Sequence, residues 1–188
     1  MADKRKTALI LVDAINSFFE PGHPNYYPGV ETVIEPMKKL LAAARASGAI
    51  VVHSAEKHRP GFEDFEWRKL PVHHLADAND AAFFGDFRPE GPNETVIHKR
   101  RFSAFFATDL ALFLAEQRVS RVVIAGVKTN VCIRATAQDA FANGFEPILA
   151  REATNSNRPH LAEASLEDID RYMGRVVSVD EAIGMLSQ

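Results

Sequence analysis

The chain has 188 residues, 46% hydrophobic, 25% charged and 9% aromatic, with a formal net charge of −3. Such a length supports one sizeable core, so a single domain over residues 1–188 is expected, and the charge offers no basic field for nucleic acid, Lys99-Arg100-Arg101 being too short a cluster to make one. One cysteine excludes an internal disulfide framework, no apolar run approaches the ~20 residues that span a bilayer, and the polar start Met1 to Lys6 leads into a strand pattern rather than a signal peptide, so a cytoplasmic protein without a membrane partner is expected.

In chain order, strand-sized apolar runs alternate with helix-sized amphipathic ones, the pattern of a parallel sheet covered by helices. The first strand is read at residues 7–13. Val30, Val33, Ile34, Met37, Leu40, Leu41 and Ala44 then recur at helical spacing; Pro36 falls in the first turn or marks a kink, and Gly48 ends the helix. After a second strand at 49–53 comes the stretch 54–92, which is rich in Phe, His, Asp and Pro and has no clear period. A loop of that length is expected to be functional or to carry short helices over a site. Strands at 95–98, 121–126, 146–150 and 175–178 and helices at 110–117, 131–143 and 161–172 complete the series, with Gly144 stopping the second of these helices. The expected fold is α/β, a doubly wound, three-layer α/β/α arrangement with a six-stranded parallel sheet, Rossmann-like in kind.

Ligands of such sheets bind beyond the carboxyl ends of the strands, near the point where strand order reverses. Asp13 closes the first strand, Lys99 follows the third, and Cys132 follows the fourth. Because Cys132 lies where the run Ile124-Ala125-Gly126-Val127 turns into a helix-like segment, the helix dipole is expected to lower its pKa. A carboxylate can take the thiol proton and later return it to a leaving amine, while a lysine favours thiolate and keeps the carboxylate ionised. Singly, these residues are more often a buried hydrophobe, a turn former and a solvated cation. Their joint placement points to attack by sulfur on a small carbonyl compound.

Three motifs then carry a family resemblance over nearly the whole chain: Leu11-Val12-Asp13 with Asn16 and Phe18 behind it, the run Lys99-Arg100-Arg101-Phe102-Ser103-Ala104-Phe105, and Gly126-Val127-Lys128-Thr129-Asn130-Val131-Cys132 followed by Ala135-Thr136. They resemble the isochorismatase-like cysteine hydrolases. The resemblance implies an isochorismatase-type fold, a catalytic triad of Asp13, Lys99 and Cys132, a cis peptide at Val127-Lys128, and an oxyanion hole built from the backbone N–H groups of Lys128 and Cys132. It further implies cleavage of a C–N bond in a small amide through a thioester. Isochorismatases proper lack the cysteine, so the chain looks like the amidase branch, which includes nicotinamidases and N-carbamoylsarcosine, ureidoacrylate and biuret hydrolases. Homodimers or homotetramers are usual there. Two positions depart from the pattern: Ile15 stands where many members have Gln, and Lys128 where a small residue or Thr is common, its side chain facing either substrate or solvent.

Nicotinamidases carry a metal held by an Asp-x-His pair and further histidines after the second strand. Glu56-Lys57-His58, with His73 and His74 further on, would suit Zn²⁺ or Mn²⁺. Read as exposed loop residues, in a branch whose carbamoyl and ureido hydrolases need no metal, they lead to an expectation of no metal and no cofactor. A carbamoyl or ureido substrate is accordingly favoured. The alternatives are a metal-dependent nicotinamidase-like amidase and a non-catalytic binding protein of the same fold. Asn16, Phe18, Trp67 and Asn155 are the expected substrate contacts, with Phe62, Phe65, Trp67, Phe83 and Phe84 as a roof and Phe18-Phe19 as a wall.

Overall fold

The computed structural model describes residues 6–187; the polar lead-in at residues 1–5, read above as no signal peptide, lies outside the described residues. Six strands, β1 (Lys6–Val12), β2 (Ile50–Glu56), β3 (Glu94–Lys99), β4 (Val119–Val127), β5 (Glu146–Asn155) and β6 (Arg175–Val177), form one sheet in the order β3-β2-β1-β4-β5-β6. Every neighbouring pair is parallel. A central strand of such a sheet is buried on both faces, which is why β1 reads as an unbroken apolar run. Leu9 and Leu11 enter one core with Met37, Leu40 and Leu41 of α2 (Ile34–Ser47) and Met185 and Leu186 of α6 (Val179–Leu186). Ala8, Ile10 and Val12 enter the other, against α3 (Leu110–Glu116), α4 (Arg134–Ala142) and α5 (Pro159–Tyr172), through Leu114, Ala137 and Ile169 among others. Each fully buried Leu or Ile contributes roughly 1.5–3 kcal/mol of transfer free energy to this three-layer packing.

The expected elements are present, with displaced limits. The first helix begins as a 3₁₀ turn at Val30–Val33, Pro36 sits in the first turn of α2, and Gly48 ends that helix at a φ of 71°. β2 runs on to Glu56 and β5 to Asn155, further than their apolar cores suggest. Within the stretch 54–92 a short 3₁₀ turn, Asn79–Ala81, lies beside α1 (Asn16–Phe19), the Asn16 N–H donating to Ala82 C=O just after the turn at 2.9 Å. A second 3₁₀ turn lies at Phe65–Arg68. Helix α6 was not among the expected elements; a capping box between Ser178 and Glu181 starts it. Among the described residues no helix is long and apolar enough to cross a membrane.

At the opposite end of the sheet from the strand carboxyl termini, the buried Glu94 carboxylate accepts from Arg45 Nε at 2.7 Å and Nη2 at 3.1 Å and lies 2.8 Å from His53 Nε2. Burial alone would raise its pKa, but the bonds from Arg45 and His53 prevail and hold it down to about 2. A carboxyl depressed in the folded state stabilises the fold above the ordinary carboxylate pKa, and the contribution is lost as pH falls towards the depressed value. Glu94→Ala, which leaves buried His53 without its anion and Arg45 with only the more distant Glu90, is expected to cost about 2–4 kcal/mol near neutral pH. Thermal melts should show that deficit shrinking as pH is lowered towards 3; a deficit independent of pH would refute the assignment.

Candidate active site

Strand order reverses between β1 and β4, and the ends of β1 to β4 enclose one buried polar centre. Asp13 follows β1 in the left-handed region, at a φ of 55°, with its N–H donating to Ser54 C=O at 2.8 Å. A non-glycine residue held there is strained, and such strain persists where the surroundings over-determine it. Lys99 ends β3 in register with Glu56 of β2. Its Nζ lies 2.9 Å from Asp13 Oδ2, 3.1 Å from Glu56 Oε2 and 3.6 Å from Cys132 Sγ. The second Asp13 oxygen, Oδ1, accepts the Glu56 N–H at 2.9 Å. Asp13 and Lys99 have no exposed surface, and Cys132 keeps 4% of its own. Thr136 Oγ1 accepts from Ala104 N–H at 3.1 Å, so the segment behind Lys99 is tied to the helix behind Cys132.

Cys132 sits in a single π-helical turn, Thr129–Ile133, that leads into α4. The peptide between Val127 and Lys128 is cis, and the Lys128 C=O accepts from Val131 N–H at 3.0 Å and Ile133 N–H at 3.3 Å. Contrary to the expectation from the helix dipole, the thiol pKa is pushed well up. Burial does most of this and the Asp13 and Glu56 carboxylates add to it, against the opposing charge of Lys99. The resting site thus pairs a neutral thiol with an adjacent carboxylate. Burial disfavours the Lys99 ammonium, yet the carboxylates of Asp13 and Glu56 outweigh it and hold Lys99 above its ordinary value. Burial likewise opposes ionisation of Glu56, but Lys99 and then His58, His73 and His74 keep it well below the usual carboxylate range.

The residues read as exposed loop positions prove to be buried beside this centre. Glu56, His58, His73 and His74 are at most 6% exposed, because β2 continues to Glu56 and the chain returns alongside it, His58 N–H donating to His74 C=O at 2.8 Å and Ala76 N–H to His58 C=O at 3.0 Å. Glu56 Oε1 lies 3.0 Å from His58 Nε2 and 3.1 Å from His73 Nε2. The opposite ring nitrogens are anchored, His58 Nδ1 to Asp64 Oδ2 at 2.9 Å and His73 Nδ1 to Pro71 C=O at 2.6 Å. Arg100 and Arg101 hold Asp64 from outside at 3.0 and 2.9 Å. Glu66 completes the group: both its oxygens are buried without a hydrogen-bond partner, and burial followed by the charge of Glu56 pushes its carboxyl up to about 7. Donor atoms of Glu56, His58, Glu66 and His73 all lie within 4.8 Å of one another. Two imidazoles oriented through their far nitrogens and two carboxylates, one of them without a hydrogen-bond partner, fit a divalent cation such as zinc or manganese. Sequence spacing did not single out Asp64 or Glu66; only their position shortly after His58 could have drawn attention to them.

The expected substrate contacts separate. Phe18 is buried near the centre, its ring 5.4 Å from that of His74, and the Lys128 ammonium stands over it. Asn16 turns its amide to Asn79 C=O at 3.1 Å. Trp67 packs against His58, ring centres 5.5 Å apart, over the histidine and carboxylate group rather than the thiol. Asn155 is fully engaged: its Oδ1 accepts from Tyr27 Oη at 2.6 Å and its Nδ2 donates to Gly29 C=O at 2.7 Å and Thr32 Oγ1 at 2.9 Å, so it braces the 27–32 segment instead of presenting a free amide. Phe62 and Phe65 are 70% and 66% exposed and form no roof, whereas Phe19 stacks on Phe84 at 5.2 Å in the core.

The sheet and the buried polar centre at its switch point are those of an α/β enzyme. The chain belongs to the isochorismatase family: the Isochorismatase domain model matches residues 7–181. It is 40% identical over 186 residues to the maleamate amidohydrolase of Pseudomonas putida, covering 97% of this chain and 87% of that protein. To the N-carbamoylsarcosine amidase of an Arthrobacter species it is 34% identical over 188 residues, covering 96% and 71%. Among solved structures, the pyrazinamidase of Pyrococcus horikoshii in complex with zinc superposes with a TM-score of 0.83 at 30% identity, covering 92% and 99% of the two chains. Matched nearly end to end by such relatives, the chain is an amidohydrolase.

Proposed function

We propose that this chain, as one catalytic domain, hydrolyses the C–N bond of a small non-peptide amide with Cys132 as nucleophile, Asp13 as its base and Lys99 as the charge that steadies both. The observation that carries the reading is the buried contact of the three groups, with Lys99 Nζ 2.9 Å from the carboxylate and 3.6 Å from the sulfur. Asp13 takes the thiol proton as Sγ bonds to the carbonyl carbon, and the oxyanion faces the backbone N–H groups of Lys128 and Cys132. Loss of one such donor typically costs ~3 kcal/mol of transition-state stabilisation. Collapse breaks the C–N bond, the nitrogen leaving with the proton returned by Asp13. Water, deprotonated by Asp13, then adds to the thioester and expels the sulfur, which regains its proton. A neutral resting thiol suits this order, because the proton moves only as the C–S bond forms.

A second reading is favoured by Glu66, whose buried oxygens lack hydrogen-bond partners: Glu56, His58, Glu66 and His73 hold a divalent cation. When bound there, the ion would supply Lewis-acid chemistry. Glu56 would join the two groups, one oxygen towards the histidines and the other on Lys99. One experiment tests both readings: ammonia release from maleamate, N-carbamoylsarcosine, ureidoacrylate, biuret and nicotinamide, with and without chelation, alongside metal content by mass spectrometry. Turnover of a carbamoyl, ureido or monoamide compound is expected. Activity confined to nicotinamide would overturn the favoured substrate class, and silence on every compound would overturn the hydrolase. About one equivalent of zinc or manganese, lost together with thermal stability on chelation, is expected from the donor set; protein that takes up no metal after zinc dialysis would sink the second reading.

A further inference from the structure

Lys128 is a cation without a counter-ion beside the thiol. It lies four positions ahead of Cys132, its backbone half in the cis peptide, and its ammonium stands over two aromatic faces, 5.7 Å from the ring centre of Phe18 and 5.1 Å from that of Tyr27. Both rings are buried and fixed, Tyr27 through its 2.6 Å bond to Asn155. The other cations close to Asp13 and Glu56 are paired, Lys99 with those two carboxylates and Arg100 and Arg101 with Asp64. Among the described residues no carboxylate pairs with Lys128 or with Arg158, whose like charge it feels. Burial, reinforced by Arg158, holds the Lys128 ammonium below its ordinary value, the condition of a cation that lacks an anion.

We propose that Lys128 is a specificity residue that pairs with a carboxylate on the substrate, so that the amides this enzyme takes are anionic: monoamides of dicarboxylic acids or N-carbamoyl amino acids. The proposal rests on Cys132 being the nucleophile. A half-buried ammonium held against aromatic faces loses little further freedom on meeting a carboxylate, and the charge-assisted bond it forms is about twice as strong as a neutral one. A neutral amide in the same place would leave the ammonium unpaired and partly desolvated, which is the way polar sites reject ligands lacking the matching group. The aromatic cradle explains why Asn155 braces Tyr27 rather than reaching substrate.

The test uses the single cysteine as a reporter. Alkylation rates of Cys132 by iodoacetate, an anion, and by iodoacetamide, its neutral counterpart, are compared in the wild type, Lys128→Met and Lys128→Arg, with thermal melts confirming folded protein. In Lys128→Met the iodoacetate to iodoacetamide rate ratio is expected to fall roughly tenfold, with Lys128→Arg restoring most of it. In parallel, the ratio of kcat/KM for maleamate over its neutral diamide should fall at least about tenfold, chiefly through KM. Ratios that stay put while Cys132 still reacts would overturn the role of Lys128 and leave the nucleophile intact. An equal loss on both amides would also overturn it, by moving the ammonium onto the reacting carbonyl. A thiol that neither reagent modifies until the protein is unfolded would bring down the nucleophile and this inference together.

Discussion

Replacing Cys132 with alanine is expected to abolish ammonia release, by about four orders of magnitude or more, while the protein still folds and melts close to the wild type. The fold should tolerate the change because it removes one sulfur from a site already crowded with two carboxylates, and truncation by a single heavy atom leaves too small a void to cost much over 1 kcal/mol. Catalysis should not tolerate it, because the chain has a single cysteine and a thioester needs its sulfur, held 3.6 Å from Lys99 Nζ. Cys132→Ser keeps the shape and should be equally inactive: burial beside Asp13 and Glu56 already pushes the thiol up, and an alcohol in the same surroundings is far harder to deprotonate. Acid quenching during turnover, followed by intact mass measurement, should find an acyl adduct on the wild type and none on either variant. Residual activity above a hundredth of wild type in Cys132→Ala would refute covalent catalysis by this sulfur.

Lys99→Met is expected to be the most destabilising change at the centre, about 3–5 kcal/mol, as well as inactivating. Lysine and methionine have similar stems, so the loss is of charge: Asp13 and Glu56 would remain as two buried carboxylates without their cation. For a chain of this size the melting temperature should drop on the order of 10 °C. The pH dependence distinguishes this from loose packing. In the wild type Lys99 is held above its ordinary pKa, so its contribution is complete from neutrality up to the pH at which an unfolded lysine titrates and is lost only above that. In the variant a carboxyl must be raised instead, so stability should recover as pH falls towards 5 and worsen towards 9. A melting temperature within about 2 °C of wild type across that range would refute the ion-pair account.

How much of this was legible depends on what kind of physics placed each residue. Strands buried on both faces cannot avoid reading as apolar runs, so the sheet and its parallel order followed from alternation with helices, and Asp13, Lys99 and Cys132 could be drawn together because parallel strands present their ends on one side. Helix α6, with its eight residues beginning at the Ser178 cap, was hidden by its brevity and by the three-residue strand before it. The burial of Glu56, His58 and His73 was hidden for another reason: composition says that charged loop residues face water, whereas here the return of the chain at His74 and Ala76 closes over them. The direction of the thiol pKa was misread because the helix could be placed from sequence, but the burial and the neighbouring carboxylates could not. Glu56 as a second partner of Lys99 depends on the β2–β3 register, which no local pattern encodes.

Gly126, with a φ of 123°, passes so close to β1 that a Cβ there would strike the Val12 carbonyl oxygen. Val12 precedes Asp13 directly, and Gly126 lies six positions ahead of Cys132. The span between Asp13 and Cys132 is therefore gauged by main chain resting on main chain, like a caliper locked at one setting. Phe18, Tyr27 and Lys128 stand outside that gauge. Substitutions at those three positions are expected to leave the spacing of Asp13 and Cys132 unaltered, whereas any library that varies Gly126 discards it.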